Sequence, residues 1–224
     1  MTSRPSAEFQ NAFNLARREA QATRFDDDAN VRQQTIRMYG QLSELQGAVS
    51  ANNHVDFACK RGCGYCCHLR VEIRPHGAFV LANHIRTKFD AAQRARVMTR
   101  IEQSLERIQS MTAEQHIRAG IPCALLEEGV CTAYEARPTA CRKYHSVSVK
   151  TCRDAFLDTS APLTGDIEDE QVRLAGNAVA LGYAKGLEDA GYDIKLYELH
   201  GALHSALTNP KLGKRYRRGK QAFV

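Results

Sequence analysis

The chain has 224 residues and a mass of 25.0 kDa, enough for one domain to bury its own core without covalent staples. Eight cysteines exceed ordinary usage, yet fall short of a small secreted disulfide scaffold, where cysteine passes roughly 8 to 10% of a short chain. The formal net charge of +6 is local: Lys211, Lys214, Arg215, Arg217, Arg218 and Lys220 carry the surplus, and the rest balances at 25 basic against 25 acidic residues, so only the Lys211–Lys220 stretch is suited to nucleic acid or an acidic protein.

The first twenty residues, MTSRPSAEFQNAFNLARREA, lack the apolar run of roughly 7 to 15 residues of a signal peptide. Nothing later approaches the roughly 18 unbroken apolar residues of a membrane span. The expectation is a cytoplasmic protein with no membrane partner, in a compartment where clustered thiols bind metal more often than each other.

Phe9, Phe13, Ala16 and Ala20 recur at spacings of three and four, as do Met38, Leu42, Leu45 and Val49. Two amphipathic helices are therefore predicted ahead of the first cysteine. An extended piece over Leu69 to Ile73 ends at Pro75, and a helix follows from about His76 to Lys88. Asp90 with Gln93 forms a capping pair ahead of the stripe Val97, Ile101, Leu105 and Ile108, and Thr112 with Gln115 starts another short helix. From Ile121 to about Ser160 the pattern breaks into turns around Pro122, Gly129 and Pro138, with Pro138 suited to a first helical position. Periodicity returns with Val172, Ala175, Val179 and Tyr183, in a helix opened by Asp166, Glu168, Asp169 and Glu170 and closed near Gly191. A last helix is predicted from Tyr197 to Leu207, before Asn209-Pro210 and a basic tail. The fold class read from this pattern is mainly α: a single helical domain with an irregular, cysteine-rich, metal-organised middle. Its parts are an N-terminal helical segment (1–54), a cysteine-cluster region (55–160), C-terminal helices of the same domain (161–210) and the tail (211–224).

The chemistry lies in the middle. Cys59, Cys63, Cys66 and Cys67 occupy the string CKRGCGYCCHL, a density that packing does not call for. The gap between Cys63 and Cys66 lets one tight turn aim both sulfurs at one point, with Gly62 and Gly64 supplying unusual backbone angles and bare amides. Adjacent side chains diverge, so Cys66 and Cys67 cannot both reach one small ion without distortion; one of them serves a second metal, bridges, or faces the core. Cys123, Cys131, Cys141 and Cys152 form the second set, with Cys123 and Cys131 on a small hairpin around Gly129. Four thiolates around zinc(II) or a [4Fe-4S] cluster leave net negative charge, and Arg137 and Arg142 are the candidate donors beside it.

Three blocks in order, CKRGCGYCC, the Cys123 to Cys131 pair with Gly129, and YEARPTACR, resemble the YkgJ-type cysteine cluster proteins, whose shared unit is a zinc- or iron-chelating CxxCxxCC domain. The resemblance runs from about Val55 to Arg153 and implies metal chelation and little more. It places Cys59, Cys63, Cys66, Cys67, Cys123, Cys131 and Cys141 on motif positions; the role of Cys152 is inferred from residue type alone. The first gap is three residues here, where the family's name implies two.

Other candidates carry less. His200 and His204 stand four apart on a predicted helix, but the residues between lack the glutamate of a metalloprotease. His68 and His145 sit beside cysteines, and Tyr134 with Glu135 reads as packing and pairing with an arginine. No nucleophile elbow, phosphate loop or dinucleotide fingerprint is present. The readings that stand are a zinc or iron-sulfur carrier, an iron-sulfur enzyme of redox chemistry or protein modification, and an interaction module with structural zinc and a nucleic-acid-contacting tail.

Overall fold

A computed structural model describes residues 6–159 and 167–223. Helix α1 (Ala7–Gln21) is capped by the Ser6 hydroxyl and buries Phe9, Ala16 and Ala20. Helix α2 (Asp28–Asn52), capped by Asp27, buries Met38, Leu42 and Val49 on the predicted face. After a 3-10 turn at Tyr65–His68, the predicted extended piece is realised only as the short strand β1 (Glu72–Ile73). Helix α3 (Pro75–Lys88) begins on Pro75, whose missing N–H costs nothing in a first turn. Both expected capping boxes are present: Asp90 with Gln93 opens α4 (Ala91–Ile108), and Thr112 with Gln115 opens α5 (Ala113–Arg118). Strands β2 (Leu126–Glu127) and β3 (Val130–Cys131) form a two-residue hairpin over Glu128 and Gly129, both at positive φ.

Helix α6 (Thr139–Lys143) follows Pro138, which sits one residue before the helix rather than at its first position. The stretch expected to be turns contains a further helix, α7 (Val149–Leu157), capped by Ser148 and carrying Cys152. No residue of α7 is fully buried, and its short stripe of Val149, Cys152 and Phe156 lies in a stretch dominated by turn signals. Helix α8 (Glu170–Asp189) is capped by Asp169, and the acidic opening holds as far as it is described; Asp166 and Ser160 lie outside the described residues. Tyr197 and Glu198 form strand β4, antiparallel to β1 with Glu72 opposite Glu198, so the last predicted helix, α9 (Leu199–Thr208), starts two residues later than expected.

The basic end is not a loose tail. Lys211–Arg217 is helix α10, with Tyr216 fully buried against Phe25, Phe79 and Tyr192, and Ala222 and Phe223 are buried beyond it. Arg217 pairs with Asp28 at the start of α2, and the Arg215 guanidinium donates to the Gln221 carbonyl.

The helices pack around a main apolar core drawn chiefly from α2, α3, α8 and α9, with a smaller cluster of Phe9, Val49, Val172, Ala175 and Ala178 beside it, and this burial drives the fold. Helices α1 and α8 approach so closely that glycine is required: a β-carbon on Gly182 would overlap the Phe13 backbone, and one on Gly186 would stand 2.7 Å from the Ala20 β-carbon. Arg17 and Asp189 close the crossing with an ion pair at 2.7 Å. Among the described residues no helix is long and apolar enough to cross a membrane. The irregular middle lies against this scaffold through α6 on α2 and α8, and through the β1–β4 pair.

Candidate metal centre

The first cysteine block folds as a loop and a 3-10 turn. The Cys63 amide donates to the Lys60 carbonyl at 3.0 Å, and Gly62 between them takes φ +93°, an angle that suits glycine. Gly64 has an ordinary φ of −107°, and here the expected backbone angle gives way to a different reason for glycine. A β-carbon there would press on the Gly129 carbonyl at 3.2 Å and on Leu126 at 3.3 Å. Gly64 is therefore where the first cysteine loop meets the hairpin of the second.

Main-chain bonds join the two blocks directly. The Cys123 amide donates to the Cys67 carbonyl at 2.7 Å, and the Ala58 amide donates to the Ser146 carbonyl at 2.7 Å. The hairpin brings Cys131 opposite Leu126, and the Leu126 amide returns to the Cys123 carbonyl at 2.9 Å. Helix α6 presents Cys141, and α7 presents Cys152 while laying Phe156 on His68 and Tyr65, at ring distances of 4.6 and 5.8 Å.

The result is a set of thiols in one another's electrostatic field. Burial is the main cause of their raised pKa values: Cys59 is pushed up to about 11, Cys123 and Cys141 up to about 12, and Cys131 is raised as well. For Cys66 the hydrogen bond with Cys67 comes first, followed by burial, and together they lift it far above the ordinary thiol range. Negative charge on neighbouring sulfurs adds to each shift. Cys141 feels Cys66 and Cys131, Cys123 feels Cys141 and Cys131, and Cys59 feels Cys66, Cys63 and Cys152. Cys66 thus acts on Cys59 of its own block and on Cys131 and Cys141 of the second.

Opposing these shifts are groups that favour thiolates. The Ser146 amide donates to the Cys59 sulfur at 3.1 Å. Main-chain amides of Leu125 and Ala133, each two residues past its cysteine, donate to Cys123 and Cys131. The Arg137 guanidinium lowers the pKa of Cys66, Cys131 and Cys141, and Arg142 that of Cys141. Arg137 is steadied by lying 3.7 Å over the Tyr134 ring, and Arg142 by lying 4.6 Å over Tyr39 and donating to the Arg137 carbonyl at 2.9 Å. Amides and guanidinium groups around sulfur are what a thiolate centre uses to disperse charge, and the two arginines are the pair singled out from sequence.

All eight cysteines are free. Among the described residues no group of three or more histidine, cysteine, aspartate or glutamate side chains stands in a geometry that closes around a single ion. The fit to a metal rests instead on the donor chemistry: reduced sulfurs gathered from two blocks, with amides and cations directed at them, suit zinc or iron.

Three of the candidate histidines have other partners, and no side-chain contact brings His204 to the thiols. His200 is buried, bonded to Glu198 at 2.7 Å and accepting the Ala124 amide at 3.3 Å. His145 is held by the Lys143 carbonyl and the Asp169 amide, and the His68 ring bonds the Gly64 carbonyl at 3.2 Å. Arg142 bonds the Glu135 main chain. What sequence reading missed is the cavity beside Cys66 and Cys141, walled in part by Arg74, His76 and Lys143; it is formed by elements distant in the chain, and no local pattern signals it.

The site is thus of the cysteine-based chelating class. Residues 58–162 match the CxxCxxCC family, described as "Putative zinc- or iron-chelating domain", the family that the motifs of this cysteine-rich stretch resemble. The match includes Cys152. No curated protein and no solved structure matches the chain.

Proposed function

We propose that the protein is a metal carrier in which thiolates from both cysteine blocks hold zinc or an iron-sulfur cluster. Cys66, Cys123, Cys131 and Cys141 are the principal ligands in this reading, and Cys59, Cys63, Cys67 and Cys152 form an adjoining set that supports or enlarges the centre. The observation that carries it is the placement of Cys66 in the field of Cys59, Cys131 and Cys141 at once, with Arg137 beside it. The bound cation supplies the positive charge that keeps buried sulfurs ionised. The chain's own part is to hold the sulfurs reduced and close, through the Ser146, Leu125 and Ala133 amides, and to offset the remaining negative charge through Arg137 and Arg142. Eight free thiols suit a reducing compartment such as the cytoplasm.

Zinc(II) and a [4Fe-4S] cluster both suit an all-sulfur set. Elemental analysis with sulfide quantitation on anaerobically purified protein tests the reading. Absorption near roughly 400 nm identifies the cluster, because zinc(II) is d10 and colourless. Protein that comes out free of both zinc and iron from a metal-replete preparation overturns the assignment.

A further inference from the structure

Beside the thiols lies a cavity of about 470 Å³, within the roughly 300 to 1,000 Å³ typical of small-molecule sites. Cys66 and Cys141 form part of its wall, and most of the rest comes from the 69–77 segment, the 138–144 segment and α8, with Met38, Ile117 and Leu196. Three cations line it, Arg70, Arg74 and Lys143, against one acid, Glu72. Arg70 holds Glu72 at 2.7 Å. Arg74 donates to the Ile194 carbonyl, and the Lys143 Nζ to the Asn177 Oδ1 at 2.7 Å; Glu188 and Glu168 act on them through space, and neither cation has an ion pair among the described residues.

Two further features point to an occupant. His76 lines the cavity at 2% exposure, and its Nδ1 is buried without a hydrogen-bond partner, an arrangement that folded proteins generally avoid. At the rim, Ile117, Leu181 and Leu196 are large apolar residues exposed at 41%, 51% and 51%. Basic groups inside and apolar groups at the mouth are the two halves of a site for an amphiphilic anion.

We propose that this cavity binds a small organic anion, its oxyanion head group held by Arg74 and Lys143 and its apolar body resting on Ile117, Leu181 and Leu196. The proposal goes beyond metal binding, and its residues are not the thiols. A ligand so placed would lie against Cys66 and Cys141, next to the centre.

The test is calorimetric titration of the full chain, as purified and with its metal content measured, using sodium octanoate, octylammonium chloride and inorganic phosphate as probes. Octanoate is expected to bind at one site and raise Tm, with octylammonium showing no binding and phosphate binding at least about tenfold more weakly. Lys143→Met and Leu181→Glu should each weaken octanoate by about tenfold or more while metal content stays at the parent value. Leu181 is half exposed, so L181E keeps the test open should K143M fail to fold. Absence of octanoate binding, equal binding of octylammonium, phosphate binding as tight as octanoate, or parent-like binding by L181E overturns the proposal. Loss of the metal reading would register separately, as parent protein without zinc or iron.

Discussion

The main-chain amide of Cys123 donates to the main-chain carbonyl of Cys67 at 2.7 Å. The two cysteine blocks are thus tied by backbone, and a cysteine side chain can be changed without cutting the tie. Cys66→Ser and Cys141→Ser are expected to lower bound metal to less than about half of the parent value while far-ultraviolet circular dichroism still reports a helical fold. Thermal stability should fall with the metal, because binding to the native state adds directly to folding free energy. Full metal retention in both variants would remove these residues from the ligand set.

Arg137 acts on three sulfurs at once. Arg137→Met should reduce metal affinity by roughly tenfold or more, as loss of outer partners does elsewhere, and leave the stoichiometry unchanged. Competition with a chromophoric chelator reads this out. Unchanged affinity would mean that Arg137 is an ordinary surface charge stacked on Tyr134.

His76 gives the protein a pH dependence whose sign follows from burial. Burial, and then the positive charge of Arg74, depress its pKa from 6.5 to about 3. The unfolded chain takes up a proton below about pH 6.5 that the native state refuses. Stability is therefore full above that value and falls as the pH drops toward 3, by at most about 1.4 kcal/mol per pH unit. His76→Leu should flatten the decline of Tm between pH 6.5 and 4. A parent-like slope would show that other groups govern acid stability.

The α1–α8 crossing admits no side chain at two glycines. Gly186→Ala is expected to destabilise by about 2 to 3 kcal/mol through overpacking against Arg17 and Ala20, although alanine is the better helix former. Chemical denaturation measures it. A stabilising effect would mean that the helices shift apart at little cost.

Tyr216 packs on three aromatic rings in the basic C-terminal stretch. Tyr216→Ala should cost about 3 to 5 kcal/mol, and deletion from Lys211 onward should lower Tm sharply. A truncated chain with parent Tm would show that this stretch adds nothing to the stability of the fold.

Local signals were legible. The stripes of α1, α2 and α4 and the two capping boxes follow from spacing and hydrogen-bond chemistry within a few residues. Both cysteine blocks, and Arg137 with Arg142, were evident from residue type and density. What escaped is tertiary or weakly patterned. Helix α7 buries no residue fully, and its cues, Ser148 as a cap and the spacing of Val149, Cys152 and Phe156, stand in a stretch dominated by turn signals. Gly64 reads locally as a turn former, yet its constraint comes from Gly129, far along the chain. The basic stretch reads as solvated because its cations outnumber the one tyrosine that anchors it.

The short pairing of Glu72 and Ile73 with Glu198 and Tyr197, and the bond from the Ala124 amide to His200, set an order of events in the cell. A nascent chain emerging from the ribosome exposes all eight sulfurs well before residues 197–200 arrive to brace them. The sulfurs are therefore complete in number before the contacts that brace them. Residues 197–200 are thus the last part of the support around the two cysteine blocks to be synthesised.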